Sequence, residues 1–206
     1  MSSTKRGGKR SVADYYPTPL WAVERLLDRT VLPLGRWLEA GAGDGAIVAA
    51  VNRHAQYGSR VDWDTVEIRP EAEPALAALT TRKPIIGDFL KVPLPNAPYD
   101  VVIANPPFSL AEEFLRLARQ RADTVCFLLR LNFLQGTERA GWLKSDVPDV
   151  YVLPDRPSFT SDGKTDSVAY AWMIWSGYHR GKKPYGRMEV LDPTPTAERR
   201  PQRTKE

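Results

Sequence analysis

Residues 36–45 read Arg36-Trp37-Leu38-Glu39-Ala40-Gly41-Ala42-Gly43-Asp44-Gly45, and residues 46–56 continue in a helical apolar pattern. An apolar strand that enters alternating glycines and leaves in a helix lets the backbone turn sharply and approach a nucleotide closely. Gly41, Gly43 and Ala46 also satisfy the looser dinucleotide spacing, so the glycines alone admit two kinds of nucleotide ligand.

Outward from this loop the chain alternates strands with helices, the pattern of an α/β fold with a parallel sheet. On the amino-terminal side, Thr18 before Pro19 predicts an N-cap and a helix to Arg29. On the other side, Arg60 to Ile68 reads as a second strand and Pro70 to Leu79 as a helix. Pro84 to Asp88 forms a short third strand. Tyr99 to Ala104 is a nearly continuous apolar run, as a central buried strand requires. Ser109 and Glu112 predict a capping box for a helix from Leu110 to Arg121. Asp123 to Leu131 is a fifth strand, Glu138 to Leu143 a short helix, and Asp149 to Leu153 and Ser167 to Trp175 the last strands. The organisation expected is one domain over 14–191, with unstructured tails at 1–13 and 192–206.

The 206 residues suit a single domain with a full core. No run approaches the roughly 20 apolar residues of a membrane span, and no apolar stretch follows the basic start. The single cysteine, Cys126, lies in an apolar run and excludes an internal disulfide, so a cytoplasmic setting is expected. Its reading is a small buried hydrophobe. The net charge of +4 gathers in the tails, with Lys5, Arg6, Lys9 and Arg10 unopposed by any acid in the first ten residues. Such an arm either neutralises phosphates of a nucleic acid or is a solvated tail. His54 and His179 have no companion at metal-ligand spacing, so no metal site is expected. Trp172 and Trp175 point to opposite faces of the last strand, one into the core and the other toward an edge or interface. Trp21 and Trp37 read as packing residues.

Charge separates the two nucleotide readings. A pyrophosphate wants bare N–H groups, whereas Glu39 and Asp44 flank the glycines. Carboxylates suit S-adenosylmethionine, which has an ammonium and a sulfonium and no phosphate. Glu67, with Ile68 beside it at the end of the second strand, fits a ribose-binding acid. Asp88 before Phe89 fits an adenine ring, the carboxylate accepting from the amino group and the aromatic packing on the face.

Asn105-Pro106-Pro107-Phe108 falls between the buried fourth strand and the next helix, at the carboxyl edge where α/β folds bind ligands. An aromatic amino group is a poor nucleophile because its lone pair is delocalised into the ring. The Asn105 oxygen and a backbone carbonyl, that of Pro106, would accept its hydrogens and favour a tetrahedral nitrogen. The Pro106-Pro107 pair fixes the carbonyl direction. Phe108 offers a stacking face worth roughly 1–3 kcal/mol per base. In duplex DNA the base must be flipped out to arrive there. This acceptor geometry selects a planar amino nitrogen over carbon, oxygen or carboxylate targets.

These motifs resemble the amino-methyltransferase branch of class I adenosylmethionine-dependent enzymes, over about residues 14–176, and most resemble small adenine-N6 DNA methyltransferases of phages and prophages. The resemblance implies a doubly wound, Rossmann-like α/β fold with a seven-stranded, mostly parallel sheet and a terminal antiparallel hairpin. It implies that the segment Tyr15-Tyr16-Pro17-Thr18-Pro19 contacts the methionine part of the cofactor through Tyr16, Thr18 and Pro19. That segment before the glycine loop and the catalytic motif after it resemble the gamma order of such enzymes. Leu129 to Leu134 resembles the post-strand-five motif, making Arg130 and Asn132 substrate-binding candidates. Arg156-Pro157-Ser158-Phe159 with Gly163-Lys164-Thr165-Asp166 resembles a later motif, in which Phe159 holds the flipped base opposite Phe108 and Lys164 contacts substrate. Only 132–148 and 154–166 are spare for target recognition, so selectivity is short, relaxed, or supplied by a partner or a homodimer mate. An RNA adenine or guanine target shares the pocket chemistry. A protein glutamine target, which normally comes with a helical substrate domain, and a non-catalytic nucleic-acid-binding subunit fit less well.

Overall fold

The computed structural model describes residues 17–158, 168–177 and 186–199. Helix α1 (Leu20–Arg29) leads to β1 (Gly35–Ala40), α2 (Ala46–Arg53), β2 (Val61–Glu67), the short α3 (Glu73–Ala77) and β3 (Ile85–Ile86). There follow β4 (Tyr99–Ala104), α4 (Ala111–Arg121), β5 (Ala122–Arg130), α5 (Thr137–Leu143), β6 (Asp149–Val152), β7 (Tyr170–Ser176), β8 (Met188–Val190) and α6 (Thr196–Arg199). All eight strands join one sheet in the order β3-β2-β1-β4-β5-β7-β6-β8. The first five are parallel; β7 runs antiparallel between β5 and β6.

The sheet is buried on both faces because its strands carry apolar residues at successive positions. Trp37, Val101, Ile103, Cys126, Leu128 and Trp172 turn one way and pack against α1 and α2. Leu38, Val102, Ala104, Phe127, Met173 and Trp175 turn the other way and meet Phe114 and Leu115 of α4. This is the doubly wound arrangement, and it brings the ends of β1 and β4 side by side, with Glu39 in register with Ile103. No described helix is long and apolar enough to cross a membrane.

Several expectations are corrected. The sheet has eight strands rather than seven, since Met188–Val190 adds beside β6 as a parallel edge. Three residues with Met188 and Val190 exposed give little periodic signal. Thr18 does not cap α1: Pro19 occupies the N-cap position and no side chain caps it. A residue before proline is held extended, and the Thr18 hydroxyl is engaged elsewhere. The Ser109–Glu112 capping box is absent, because Phe108–Leu110 forms a 3₁₀ turn and Leu110 takes the N-cap position. Trp172 and Trp175 do face opposite ways, but both are core, at 0% and 1% exposure; neither covers an edge. Part of the expected carboxyl-terminal tail is docked through residue 199. Thr194 is buried and its N–H donates to Asp155, while Arg25 reaches Glu198 at 2.8 Å.

Candidate active site

Three glycines with left-handed backbone carry the turn out of β1: Gly41 at φ +72°, Gly43 at +56° and Gly45 at +82°. Gly41 and Ala42 both donate their N–H groups to the Val66 carbonyl at 2.9 Å, tying the loop to β2. Gly45 sits at the N-cap of α2. The first acid, Glu39, is buried beneath the turn and accepts from the Val48 N–H at 3.2 Å. Burial raises its pKa well above the usual carboxylate range, and the nearby Glu67 charge adds to the effect.

Glu67 faces the same loop. One oxygen accepts from the Gly43 N–H at 2.6 Å; the other accepts from the N–H and the Nε of Arg69 at 3.0 and 3.1 Å. Arg69 then reaches Asp44, which is half exposed, at 3.0 Å. Arg69 thus bridges two of the four acids that the sequence assigns to the cofactor, Glu67 and Asp44, a role invisible in spacing because it depends on where the loop after β2 turns. A carboxylate has about four acceptor sites, so Glu67 retains capacity toward a hydroxyl. Ile68 is 49% exposed beside it.

At the end of β3, Asp88 accepts from the Leu90 N–H at 3.0 Å and pairs with Lys91 at 2.9 Å. That ammonium holds its carboxyl below the ordinary range. Phe89 does not present a face to a ligand. It is 2% exposed and its ring packs on Phe114 with centroids 4.8 Å apart. An apolar ring next to a strand end is more strongly held by the core than by an open cleft.

The Asn105-Pro106-Pro107-Phe108 segment leaves β4 on the same edge as the glycine turn. Asn105 Nδ2 donates to the Thr18 hydroxyl at 3.1 Å. Pro106 is buried. The Pro107 carbonyl is committed to the Leu110 N–H at 2.8 Å, so Pro106 supplies the candidate acceptor carbonyl. Phe108 lies under the guanidinium of Arg130, 4.5 Å from its ring centre, and tilts against Tyr170 at 5.6 Å. Arg130 in turn donates to the Tyr170 hydroxyl at 3.1 Å. Asn132 is exposed on the 3₁₀ turn that follows β5. Pro19 is half-buried at the start of α1.

The structure therefore pairs Thr18 with Asn105 and Phe108 with Arg130, and joins Gly43, Glu67 and Asp44 through Arg69, with Glu39 bonded to Val48 under the same turn. Tyr16, Phe159 and Lys164 lie outside the described residues. Tyr170, unflagged in the sequence, pairs directly with Arg130 across the β5–β7 ladder; only the strand register brings it here. Cys126 is fully buried, which raises its pKa, and it packs in the core of the sheet. Among the described residues no cluster of His, Cys, Asp and Glu could hold a metal ion.

Sheet order, antiparallel β7 and the glycine turn after β1 together define the Rossmann-like fold of class I methyltransferases. No protein-family profile and no curated protein matches the sequence. Among solved structures, the chain is similar to the methyltransferase subunit of a type I restriction-modification system from Streptococcus thermophilus. There the TM-score is 0.61 and identity 16%, over 79% of this chain and 45% of that one. It is similar to a putative class I S-adenosylmethionine-dependent methyltransferase from Listeria monocytogenes, with TM-score 0.58 and 13% identity over 89% and 68% of the two chains. It is similar also to the 23S rRNA methyltransferase ErmE, with TM-score 0.56 and 16% identity over 83% and 71%. The chain thus spans less than half the length of the Streptococcus subunit.

Proposed function

We propose that this chain transfers a methyl group from S-adenosylmethionine to the N6 amino group of adenine in DNA. The observation that carries the reading is Asn105-Pro106-Pro107-Phe108 leaving β4 beside the glycine turn of β1, in a fold shared with methyltransferases. That fold makes S-adenosylmethionine the expected cofactor, which when bound supplies a methyl group activated by a sulfonium.

The residues present fit such a ligand. Asp44 and Glu67 set carboxylates beside the glycine turn, favourable to an ammonium and unfavourable to a pyrophosphate, while Glu39, held toward its neutral form by burial, hydrogen-bonds beneath it. Glu67 and Ile68 would hold the ribose and Asp88 the adenine amino group, with the Gly41 and Gly43 turn against the methionine part. Phe89, buried against Phe114, serves as the floor of this region instead of a stacking face.

On the substrate side, the Asn105 amide oxygen and the Pro106 carbonyl accept the two amino hydrogens. Drawing them out of the base plane localises the nitrogen lone pair toward the methyl donor, and one proton leaves after transfer. Phe108 stacks the flipped base. Arg130, Asn132, Phe159 and Lys164 are assigned to the surrounding nucleic acid. We assign target selection to 132–148 and 154–166, which makes it short or relaxed, or to a second subunit or copy.

The same pocket chemistry serves an adenine in RNA, and one structural neighbour is an rRNA methyltransferase. The deciding experiment incubates the full chain with labelled S-adenosylmethionine and separate DNA, RNA and protein pools, then identifies the modified nucleoside. N6-methyladenine in DNA is the expected product. Label confined to RNA moves the assignment to that polymer, and label confined to protein overturns it.

A further inference from the structure

The Asn105 amide does not stand alone at the end of β4: its Nδ2 donates to the hydroxyl of Thr18 at 3.1 Å, across 87 positions of chain. Thr18 is 8% exposed and does not cap α1. Pro19, at φ −61° and ψ 133°, restricts the Thr18 backbone to the extended region, and Pro17 fixes its own φ on the other side. The hydroxyl is therefore delivered by one of the stiffest tripeptides in the chain.

An asparagine amide is planar, and rotation by half a turn exchanges its oxygen for its nitrogen with almost no change of shape. Only the first orientation lets it accept a hydrogen from a substrate amine; the other presents a donor and repels it. In the structure the Thr18 hydroxyl accepts from Nδ2, which places the nitrogen on the Thr18 side and the oxygen at the opposite edge. We propose that Thr18 is a positioning residue, which sets the orientation of the Asn105 amide and so links the segment before α1 to the catalytic loop after β4. The inference rests on Asn105 being the amine-orienting group proposed above.

Thr18→Val keeps the shape of the side chain and removes the hydroxyl, whereas Thr18→Ser keeps the hydroxyl. In the full-length chain, Thr18→Val is expected to lower kcat by about 10- to 100-fold, the scale of a reacting group held slightly out of place. Cofactor Kd, measured by calorimetry, separates this role from the cofactor contact that the resemblance implies for Thr18: a positioning role leaves Kd within about twofold while kcat falls. Thr18→Ser should recover most of the rate, which a purely structural role for the residue would not predict. A second readout needs neither cofactor nor substrate. The Asn105 side-chain amide protons, followed by NMR on ¹⁵N-labelled protein, should exchange slowly in the wild type and in Thr18→Ser, and rapidly in Thr18→Val.

A Thr18→Val enzyme with wild-type kcat, or one whose whole loss traces to weaker cofactor binding, overturns the inference while leaving the methyltransferase reading in place. A wild-type chain that methylates no nucleic acid overturns that reading; the amide exchange then decides by itself whether Thr18 orients Asn105. Unprotected amide protons in the wild type refute the positioning role.

Discussion

The guanidinium of Arg130 lies over the ring of Phe108, 4.5 Å from its centre, with the Tyr170 hydroxyl accepting from Arg130 Nε at 3.1 Å. One face of the proposed stacking ring is thus already covered, and the base must use the other. Backed in this way, Phe108 is held against rotation before any substrate arrives. A cation over an aromatic ring contributes about 0.5–2 kcal/mol depending on desolvation. Arg130→Ala should therefore raise KM for DNA by about 2- to 30-fold with a smaller change in kcat. Tyr170→Phe, which removes only the hydroxyl, should act in the same direction and less. Steady-state kinetics on one duplex checks both, and an unchanged KM in Arg130→Ala would show that the stack does not support the base.

Asn105→Ala removes the acceptor proposed for the amino hydrogens and leaves the glycine turn and its acids untouched. Loss of one pre-placed hydrogen-bonding group in an active site commonly costs about 10²–10³ in rate. The expected outcome is that loss in single-turnover methyl transfer with cofactor affinity nearly intact. Measuring both on the same preparation separates the roles: if affinity collapses with the rate, Asn105 is a cofactor ligand first.

The core of the fold was legible because both of its periodicities are local. The apolar runs of β1, β4 and β5 and the glycines after Ala40 fall where the sequence places them, to within a residue. What escaped was set by contacts distant in sequence. Thr18 looks like a helix cap from its neighbours, yet its hydroxyl belongs to Asn105. Phe89 looks like a stacking residue beside Asp88, yet Phe114 of α4 claims it. Arg69 and Tyr170 carry no motif, and only the turn after β2 and the β5–β7 register bring them to the site. At the chain's end, a three-residue strand and a docked Thr194 are too short to produce a period.

Burial raises the pKa of Glu39, so its protonated form is favoured in the folded chain. For a carboxyl raised on folding, the stabilising contribution is complete below the unfolded value of about 4.3 and is lost as pH rises through the folded value. Glu39→Gln cannot ionise and keeps the shape. Its melting temperature should match the wild type below about pH 4 and exceed it increasingly as pH rises above that value. Parallel melting curves across that range provide the check, and a constant offset at every pH would mean that Glu39 ionises as freely folded as unfolded.

Gly45 adopts φ +82° at the start of α2, and a Cβ there would stand 2.6 Å from Leu79 Cδ1. Leu79 is a flexible chain end and can move, so the left-handed backbone dominates the cost, about 1–2 kcal/mol for an L-residue. Gly45→Ala should lose that much stability in urea titration. Because the same turn forms the cofactor loop, cofactor affinity should fall with it.

Trp172 is fully buried in β7, and its indole N–H donates to the Ala22 carbonyl of α1 at 2.7 Å. This bond ties the helix that follows Thr18 and Pro19 to the antiparallel strand that bears Tyr170. Trp172→Phe removes the indole donor from a carbonyl that the helix still engages, at about 0.5–1.5 kcal/mol, and adds a cavity. Denaturant unfolding should show at least that loss. If α1 is the support that holds Thr18 in reach of Asn105, methyl transfer should also decline more than cofactor affinity does. A variant that loses stability but keeps the wild-type rate would show that α1 holds its position through its other core residues, Leu26 and Leu27 among them.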